Sequence, residues 1–504
     1  GPLRQLCIDM PEPDFNGSPY HFKVQYQIKN FLKRYCFGKD LYTTDELNQR
    51  TNASFIALQQ ELAAPRPVFR LSTEIVLRRA RKIVREVLGP YDPEEHALAC
   101  RFSTKACVGF PTPKSYLHDK IAGPLTGSYG HQRWWNNHRA SCKLTDATVS
   151  QDLCEIDALT LINVPKSYKT LRGITPNTLL GSYHSYGLGR MIEKRLHKVR
   201  IYLSSQPQLH QKLAKRESVR QKLVTADLSN ASNCFTSVTV RKLVPLEWYR
   251  QLDLGRVTTI CIEDKSYYMA SFMAMGIGFT FPLQTLLFYA IIKAVQDLLG
   301  KAGMISVFGD DLIYHRQIHS AVVRVLNDCS FKINTDKTFV SVPFRESCGG
   351  DFFKSVDVRP ASPEGECQSL GKWKYLSFLH KLANSLTLRW TEYELGSTLH
   401  LLKREILSLT GQLFCIPEDL PDYAGLKRIS SSWFENKCPP VYSTTRQCYL
   451  FTCLTESPGT TLVPTLVGYY WDALRAGRSD EDERPPCIWR TVRDTIKWVK
   501  PHTV

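Results

Sequence analysis

The chain has 504 residues, 43% of them hydrophobic and 11% aromatic, and a formal net charge of +17. That length exceeds what one hydrophobic core serves, so several subdomains are expected, and the composition excludes a disordered or fibrous chain. The charge points to a polyanionic partner, and no apolar run spans a membrane: the longest, residues 279–295, is interrupted by Pro282, Gln284 and Lys293. The sixteen cysteines are scattered with no Cys-x-x-Cys pair, which speaks against a zinc site or a disulfide scaffold. Reduced, mostly buried thiols in a cytoplasmic protein are expected. The N-terminal residues show no charged-then-apolar secretion signal.

In chain order, a helix is expected around residues 19–34. A basic amphipathic helix follows over 72–87, with Ser72 as N-cap and Glu74 in its first turn. Residues 100–140, rich in Gly, Pro, Ser and aromatics, read as loops and short strands. They hold Trp134 and Trp135, a pair that stacks on bases in some proteins and more often fills a core. An extended basic segment over 164–172 carries Lys166, Lys169 and Arg172, and a basic helix follows over 186–199. From Val164 to Lys222 there are 13 Lys or Arg against two acids, a local net charge of +11.

Leu223 to Ala226 read as a strand that ends in Asp227. A helix near 236–252 and a strand at 260–262 come next. The glycine-rich turn Met275-Gly276-Ile277-Gly278-Phe279 then opens a long apolar helix running to about residue 299, with Pro282 in its first turn. A strand–turn–strand hairpin spans 304–314, a helix 318–329, short strands 331–334 and 337–340, and a second hairpin 344–353. Beyond residue 371 the pattern turns helical, at 371–387 and 396–410. The acidic run 480–483 before Pro485 reads as an exposed loop.

The tip of the 304–314 hairpin is Gly309-Asp310-Asp311. Adjacent carboxylates repel, and each raises the other's pKa. A hard divalent cation such as Mg²⁺ or Mn²⁺ removes that cost. Taken alone the tripeptide reads more readily as a solvated turn in an ordinary hairpin. Asp227, 83 residues upstream at a strand end, supplies a third carboxylate if the two strands are neighbours in one sheet. Two metals held by such carboxylates run an in-line phosphoryl displacement. Asp227, Asp310 and Asp311 are therefore the candidate metal ligands, with the Leu228 backbone carbonyl as a further one.

The order basic strand, strand-end Asp, glycine turn into a helix, Gly-Asp-Asp hairpin, lysine, hairpin resembles motifs F, A, B, C, D and E of right-hand RNA polymerases. The segments Phe344-Arg345-Glu346-Ser347-Cys348-Gly349, Met275-Gly276-x-Gly278-Phe279-Thr280-Phe281, Asp227-Leu228-Ser229-x-Ala231-Ser232 and Asn334-Thr335-x-Lys337-Thr338-Phe339 carry the likeness. So does Val164-Pro165-Lys166-x-x-Lys169-Thr170-x-Arg172. Together they resemble the RNA-directed RNA polymerase of levivirus-type RNA bacteriophages, the catalytic beta subunit of phage replicase. The resemblance is strong over about 160–360.

It implies an α+β right hand: N-terminal extension and fingers over 1–220, an antiparallel-sheet palm over 221–360, and a mostly helical thumb and C-terminal region over 361–504. It implies RNA-templated RNA synthesis with two Mg²⁺ (Mn²⁺ or Ca²⁺ as substitutes) at Asp227, Asp310 and Asp311. Lys166, Lys169 and Arg172 would meet the nucleotide triphosphate, and Lys337 would act as an acid toward pyrophosphate. Ser232, Asn233, Gly276, Thr280 and Gln284 would surround the nucleotide. Arg345 and Glu346 are expected to form an ion pair. The implied partners are a single-stranded RNA template, nascent RNA, nucleoside triphosphates, and host elongation factors Tu and Ts with a ribosomal protein. The implied location is the cytoplasm of a bacterial host. The chain departs from the family pattern at Asn233, where many relatives have Asp, at Ile277 between the glycines, and at Pro282 and Gln284. A reverse transcriptase and a catalytically silent RNA-binding palm are the alternatives.

Overall fold

The computed structural model describes residues 12–31, 43–64, 68–103, 105–111, 117–141, 153–167, 170–363, 371–427, 441–445, 448–461 and 489–503. Lys169, a candidate for the nucleotide triphosphate, and the acidic run 480–483 lie outside them. The described chain is α+β, with antiparallel hairpins set among long helices.

The helices follow their apolar spacing. Helix α1 is Pro19–Asn30, and α2 is Leu71–Leu88, which buries Val76, Leu77, Ala80, Ile83, Val84 and Val87 on one face. Gly89, at φ +64, ends α2. Ser72 is not its cap: Arg70 holds that position with no side-chain hydrogen bond, and Ser72 lies in the first turn. Residues 100–140 also differ from expectation. Trp134 and Trp135 lie on α3, Tyr129–Ser141, where Trp135 is buried in a core with Leu179, Leu180 and Tyr183. The basic segment is a hairpin of β1, Ile162–Ser167, and β2, Thr170–Ile174, with Val164 opposite Arg172. Helix α4 is Leu179–Leu196 and α5 is Gln206–Arg220.

The central sheet has the order β4–β5–β3, where β3 is Leu223–Ala226, β4 Ser306–Phe308 and β5 Asp311–His315. Period-two alternation splits its side chains between two faces. Val224, Ala226, Leu312 and Tyr314 point into the largest core, which also takes α6, Thr280–Leu298. Leu223 and Ile313 point the other way, onto Leu209 and Leu213 of α5. Helix α6 is buried nearly all round, from Leu283 through Val295, because the sheet, α2 and α4 surround it. Its apolar length is thus core, and among the described residues no helix is long and apolar enough to cross a membrane.

The second hairpin, β6 (Phe344–Ser347) and β7 (Gly350–Phe353), packs against α5. Arg345 of β6 is fully buried and, among the described residues, has no carboxylate within ion-pair distance. It donates instead to four backbone carbonyls: Leu223 at 3.1 Å, Val340 at 3.0 Å, Val342 at 2.6 Å and Phe344 at 2.7 Å. The expected Arg345–Glu346 ion pair is therefore replaced by a clamp that ties the hairpin to β3. Period two explains why: adjacent strand residues face opposite sides, so Arg345 turns inward and Glu346 outward. Arg345→Met should cost about 3 kcal/mol, because it leaves buried carbonyls unpaired. A shift of the urea midpoint with unchanged slope would measure that loss, and an unchanged midpoint would remove the clamp from the stability account.

Helix α1 closes onto the same hairpin. Phe22 stacks on Phe353 with ring centroids 4.1 Å apart, and Gln27 donates to the Ala361 carbonyl at 2.8 Å. A second core joins α7, Lys372–Thr387, to α8, Glu392–Thr410. The helical expectation for the C-terminal region holds to Thr410. Beyond it the described regular elements are strands, including an antiparallel sheet of Val441–Ser443, Cys448–Thr461 and Trp489–Thr503. The described cysteines are free thiols, and Cys100, Cys107, Cys234, Cys329, Cys415 and Cys453 are buried.

Candidate active site

Strand pairing brings the three carboxylates together. Ala226 pairs with Leu312, and Phe308 with Asp311, so Asp227 continues β3 beside the Asp310–Asp311 turn. Gly309 makes that turn at φ +63. A Cβ there would sit 2.4 Å from the Phe281 ring, and the Gly309 amide donates to Thr285 Oγ1 at 2.9 Å. Both the conformation and the space therefore require glycine.

Asp227 and Asp311 are held from outside the sheet. The Asp227 Oδ2 atom accepts from Asn334 Nδ2 at 2.9 Å and lies 3.7 Å from Lys337 Nζ. The Asp227 amide donates to Thr338 Oγ1, and its carbonyl accepts from the Asn334 amide. Asp311 accepts from Ser347 Oγ and Cys348 Sγ, each at 3.4 Å. Behind Ser347, His210 Nδ1 of α5 lies 2.9 Å from the hydroxyl. Cys348 adopts φ +48 to turn the hairpin, an uncommon conformation for a residue with a Cβ. Asn334, Thr338, Ser347 and Cys348 were not singled out from sequence, although all four lie inside the motif segments. Their side chains carry no charge, and only the fold shows which way they point.

Burial, and then the neighbouring Asp310, push the Asp311 carboxyl up to about 6. Burial and Asp227 raise Asp310 as well. A cation between these acids would relieve both effects. The donors are hard oxygens, which suits Mg²⁺ or Mn²⁺. Among the described residues no three His, Cys, Asp or Glu side chains converge into a metal cage. The three acids stand at the ends of β3 and β5 and are half-buried, and a metal that keeps waters and takes phosphate oxygens fits such a place. Leu228 has a buried side chain and pairs with Ile333, so only its backbone can face the acids.

Lys166 and Arg172 are exposed on facing strands of the basic hairpin. Partial burial, then Arg172 and Lys337, lower the Lys166 ammonium, while Asp227 and Asp310 act in the opposite sense. The same field reaches across to the carboxylates, so the hairpin faces them. Burial lowers the Lys337 ammonium, but Glu346, Asp227 and Asp311 outweigh it and the net shift is upward. Glu346 lies 3.6 Å from Lys337, which is its ion-pair partner in place of Arg345.

Asn233 lies in the turn Ala231–Cys234 and is 6% exposed; its Oδ1 is buried with no hydrogen-bond partner among the described residues. Ser232 beside it is half-buried. Thr280 and Gln284 lie one turn apart at the start of α6 and are buried, with Thr280 Oγ1 donating to the Ala274 carbonyl at 2.9 Å. Gly276 meets protein: at φ +122, an added Cβ would lie 2.3 Å from the Thr175 carbonyl oxygen. Gly278 likewise abuts the Tyr186 amide of α4. The glycine turn is thus pressed onto the backbone of residues 175–186, which is sufficient reason for both glycines.

A family model described as RNA replicase, beta-chain, matches residues 15–392. The RNA-directed RNA polymerase beta chain of Escherichia phage MS2 is 39% identical over 200 residues, 40% of this chain and 36% of its own. That of Enterobacteria phage GA is 31% identical over 297 residues, 56% of this chain and 54% of its own. The RNA-directed RNA polymerase subunit beta of Qbeta virus (strain MX1) is 29% identical over 384 residues, 70% of this chain and 61% of its own. The chain therefore spans between about a third and three fifths of these relatives' lengths. The solved RNA-dependent RNA polymerase of a human picorbirnavirus aligns at 12% identity and a TM-score of 0.44, covering 77% of this chain and 82% of its own. A likeness of that size carries no weight for the fold. With the family model covering three quarters of the chain, including every candidate site residue, the chain belongs to the RNA replicase beta-chain family.

Proposed function

We propose that this chain is an RNA-directed RNA polymerase that copies a single-stranded RNA phage genome by nucleotidyl transfer. The observation that carries the reading is the pairing of β3 with β5, which sets Asp227 beside Asp310 and Asp311 under the Lys166–Arg172 hairpin. Two Mg²⁺ ions held by Asp227, Asp310, Asp311 and the Leu228 carbonyl would activate the 3′-hydroxyl and offset charge on pyrophosphate, with Mn²⁺ or Ca²⁺ as substitutes. Asn334 and Lys337 hold Asp227, while Ser347 and Cys348 hold Asp311. Lys166, Lys169 and Arg172 neutralise the triphosphate. Lys337 keeps its proton beside three carboxylates and supplies it to pyrophosphate. Residues 1–220 serve as N-terminal extension and fingers, 221–360 as palm, and 361–504 as thumb and C-terminal region.

As the beta chain of a replicase it works with other subunits; we assign host elongation factors Tu and Ts and a ribosomal protein to that role, in the cytoplasm of a bacterial host. The test is Mg²⁺-dependent incorporation of labelled GTP on poly(C) by the purified chain, alone and with those factors. Absence of incorporation in both cases would overturn the reading.

Arg172→Ala should raise the KM for NTP about tenfold, the loss of one charge-assisted hydrogen bond, or lower kcat. The salt dependence of RNA binding should stay close to that of the wild type. If NTP dependence is unchanged and RNA binding weakens, the hairpin belongs to the template path instead.

A further inference from the structure

Only part of the positive charge between Val164 and Lys222 is used at the active site. Arg190 pairs with Glu193 at 2.7 Å, and Lys194 and Arg195 pair with Glu95. Lys198 donates to the Val87 carbonyl at 3.0 Å. Most of what remains lies on α5 and just past its end, where Lys212, Lys215, Arg216, Arg220 and Lys222 are all exposed. Positions 212, 215, 216, 219 and 220 fall on the solvent side of the helix, and Lys222 follows the left-handed Gln221 that ends it. The opposite face, with His210, Leu213, Ala214, Glu217 and Ser218, is buried against the central sheet and the second hairpin.

The face has no compensating acid of its own. Glu217, the only acid on the helix, is 2% exposed. It accepts from Arg216 Nε at 2.8 Å and from the amides of Lys222 and Leu223. Among the described residues no carboxylate lies within ion-pair distance of Lys212, Lys215, Arg220 or Lys222. Like charges at these spacings destabilise a helix, and a bound polyanion offsets that. The exposed Arg316 adds to the patch, its amide donating to the Lys222 carbonyl at 3.0 Å.

The Lys222–Arg316 end of the patch is separate from the catalytic carboxylates, while the Lys212 end approaches them through His210 and Ser347. Lys222 precedes β3 and Arg316 follows β5, whereas Asp227 and Asp311 lie at the other end of the same strands. Five residues of strand separate the two ends, about 16 Å. From Lys212 to Arg220, its last residue, the helix rises about 12 Å, the span of about three or four phosphates on one duplex strand. The single exposed apolar residue, Val219, gives no protein-type anchor. No exposed aromatic or Asn lies on the helix to read bases.

We propose that the solvent face of α5, with Lys212, Lys215, Arg220, Lys222 and Arg316, is a second RNA-binding surface that holds the RNA phosphate backbone outside the active-site cleft without regard to sequence. It rests on the RNA-polymerase reading above, and the two fail separately. The test uses the full chain carrying Lys212→Ala, Lys215→Ala and Arg220→Ala together. Filter binding to long poly(C) is measured across a salt series, beside GTP incorporation on an oligo(C) template too short to leave the cleft. The slope of log affinity against log salt should become shallower by about 2, three contacts at about 0.7 each on a single strand. Affinity for poly(C) should fall at least about tenfold near 0.15 M salt. Incorporation on the short template should match the wild type. The triple Lys212→Arg, Lys215→Arg, Arg220→Lys variant, which keeps the charge, should bind like the wild type. An unchanged slope and affinity would overturn the surface. So would an equal loss on short and long templates, or retained poly(C) binding with loss of an acidic protein partner. A wild type that incorporates no GTP while the slope shift holds would overturn the polymerase reading and leave the surface standing.

Discussion

Asp310→Asn and Asp227→Asn, each made alone, should reduce nucleotide incorporation about 10³-fold or more, because each removes an anionic metal ligand worth several kcal/mol of transition-state stabilisation. The fold should not suffer. Burial and Asp227 raise the Asp310 carboxyl above its ordinary value. The folded chain therefore binds that proton more tightly than the unfolded chain does. The ionised form is thus a burden on the native state at every pH above the ordinary carboxylate range, and the burden lifts only as pH falls. Removing the charge at Asp310 lifts it at neutral pH too. Urea unfolding of Asp310→Asn without added metal should therefore show a midpoint equal to or above that of the wild type, and poly(C) affinity should be nearly unchanged. Asp227→Asn also weakens the contacts with Asn334 and Lys337, so its midpoint should not rise as far. Either variant retaining more than about a tenth of wild-type turnover would remove that residue from the metal site. Lost turnover together with a collapsed midpoint would instead mark the acid as structural.

The site was legible in the sequence to the extent that its chemistry is carried by charge. Three carboxylates at strand ends and a cluster of cations stand out in a string of letters, and strand pairing brought the acids together as the strand-neighbour condition required. What was not legible is direction. Arg345 and Glu346 look like an ion pair in sequence, yet the pleat sends one to four carbonyls and the other to Lys337. Gly276 and Gly278 look like a ligand loop, yet their missing side chains make room for the backbone of residues 175–186. The hydroxyl, thiol and amide groups on Asp227 and Asp311 were invisible because short polar side chains gain meaning only from what they face.

The fold shows the same division. The apolar periods of 71–88, 280–298 and 372–387 gave their helices close to the observed ends. Helix α3 was missed because Gly, Asn, His and Trp are poor helix formers, and tertiary burial of Trp135 outweighs that. The docking of α1 on the second hairpin, through Phe22 and Phe353, joins positions 331 apart in sequence, and no local pattern encodes it.

Ribonucleotides should be preferred over deoxynucleotides by a large factor, and Asn233→Ala should narrow that preference. Asn233 Oδ1 is buried and has no hydrogen-bond partner among the described residues. A carbonyl left in that state costs about 1–3 kcal/mol, and a donor arriving with the substrate recovers it. The 2′-hydroxyl of a ribonucleotide is such a donor. Ser232 lies beside it, and the Ala231–Cys234 turn contacts α6, whose first turns carry Thr280 and Gln284. A site built to hydrogen-bond a hydroxyl rejects the analogue lacking it by up to ~10⁴-fold, since its own groups then stay unpaired. Removing the Asn233 amide should take away roughly tenfold or more of that discrimination, mostly by slowing ribonucleotide incorporation rather than by speeding the deoxynucleotide. Asn233→Asp keeps an acceptor in the same place and should preserve the preference. Competitive incorporation of GTP against dGTP on poly(C), by the wild type and both variants, decides the matter. Equal use of the two substrates by the wild type would replace the RNA-polymerase reading with the reverse-transcriptase one. A preference untouched by Asn233→Ala would keep the polymerase and move this residue out of the sugar pocket, leaving its buried carbonyl as a cost with a different cause.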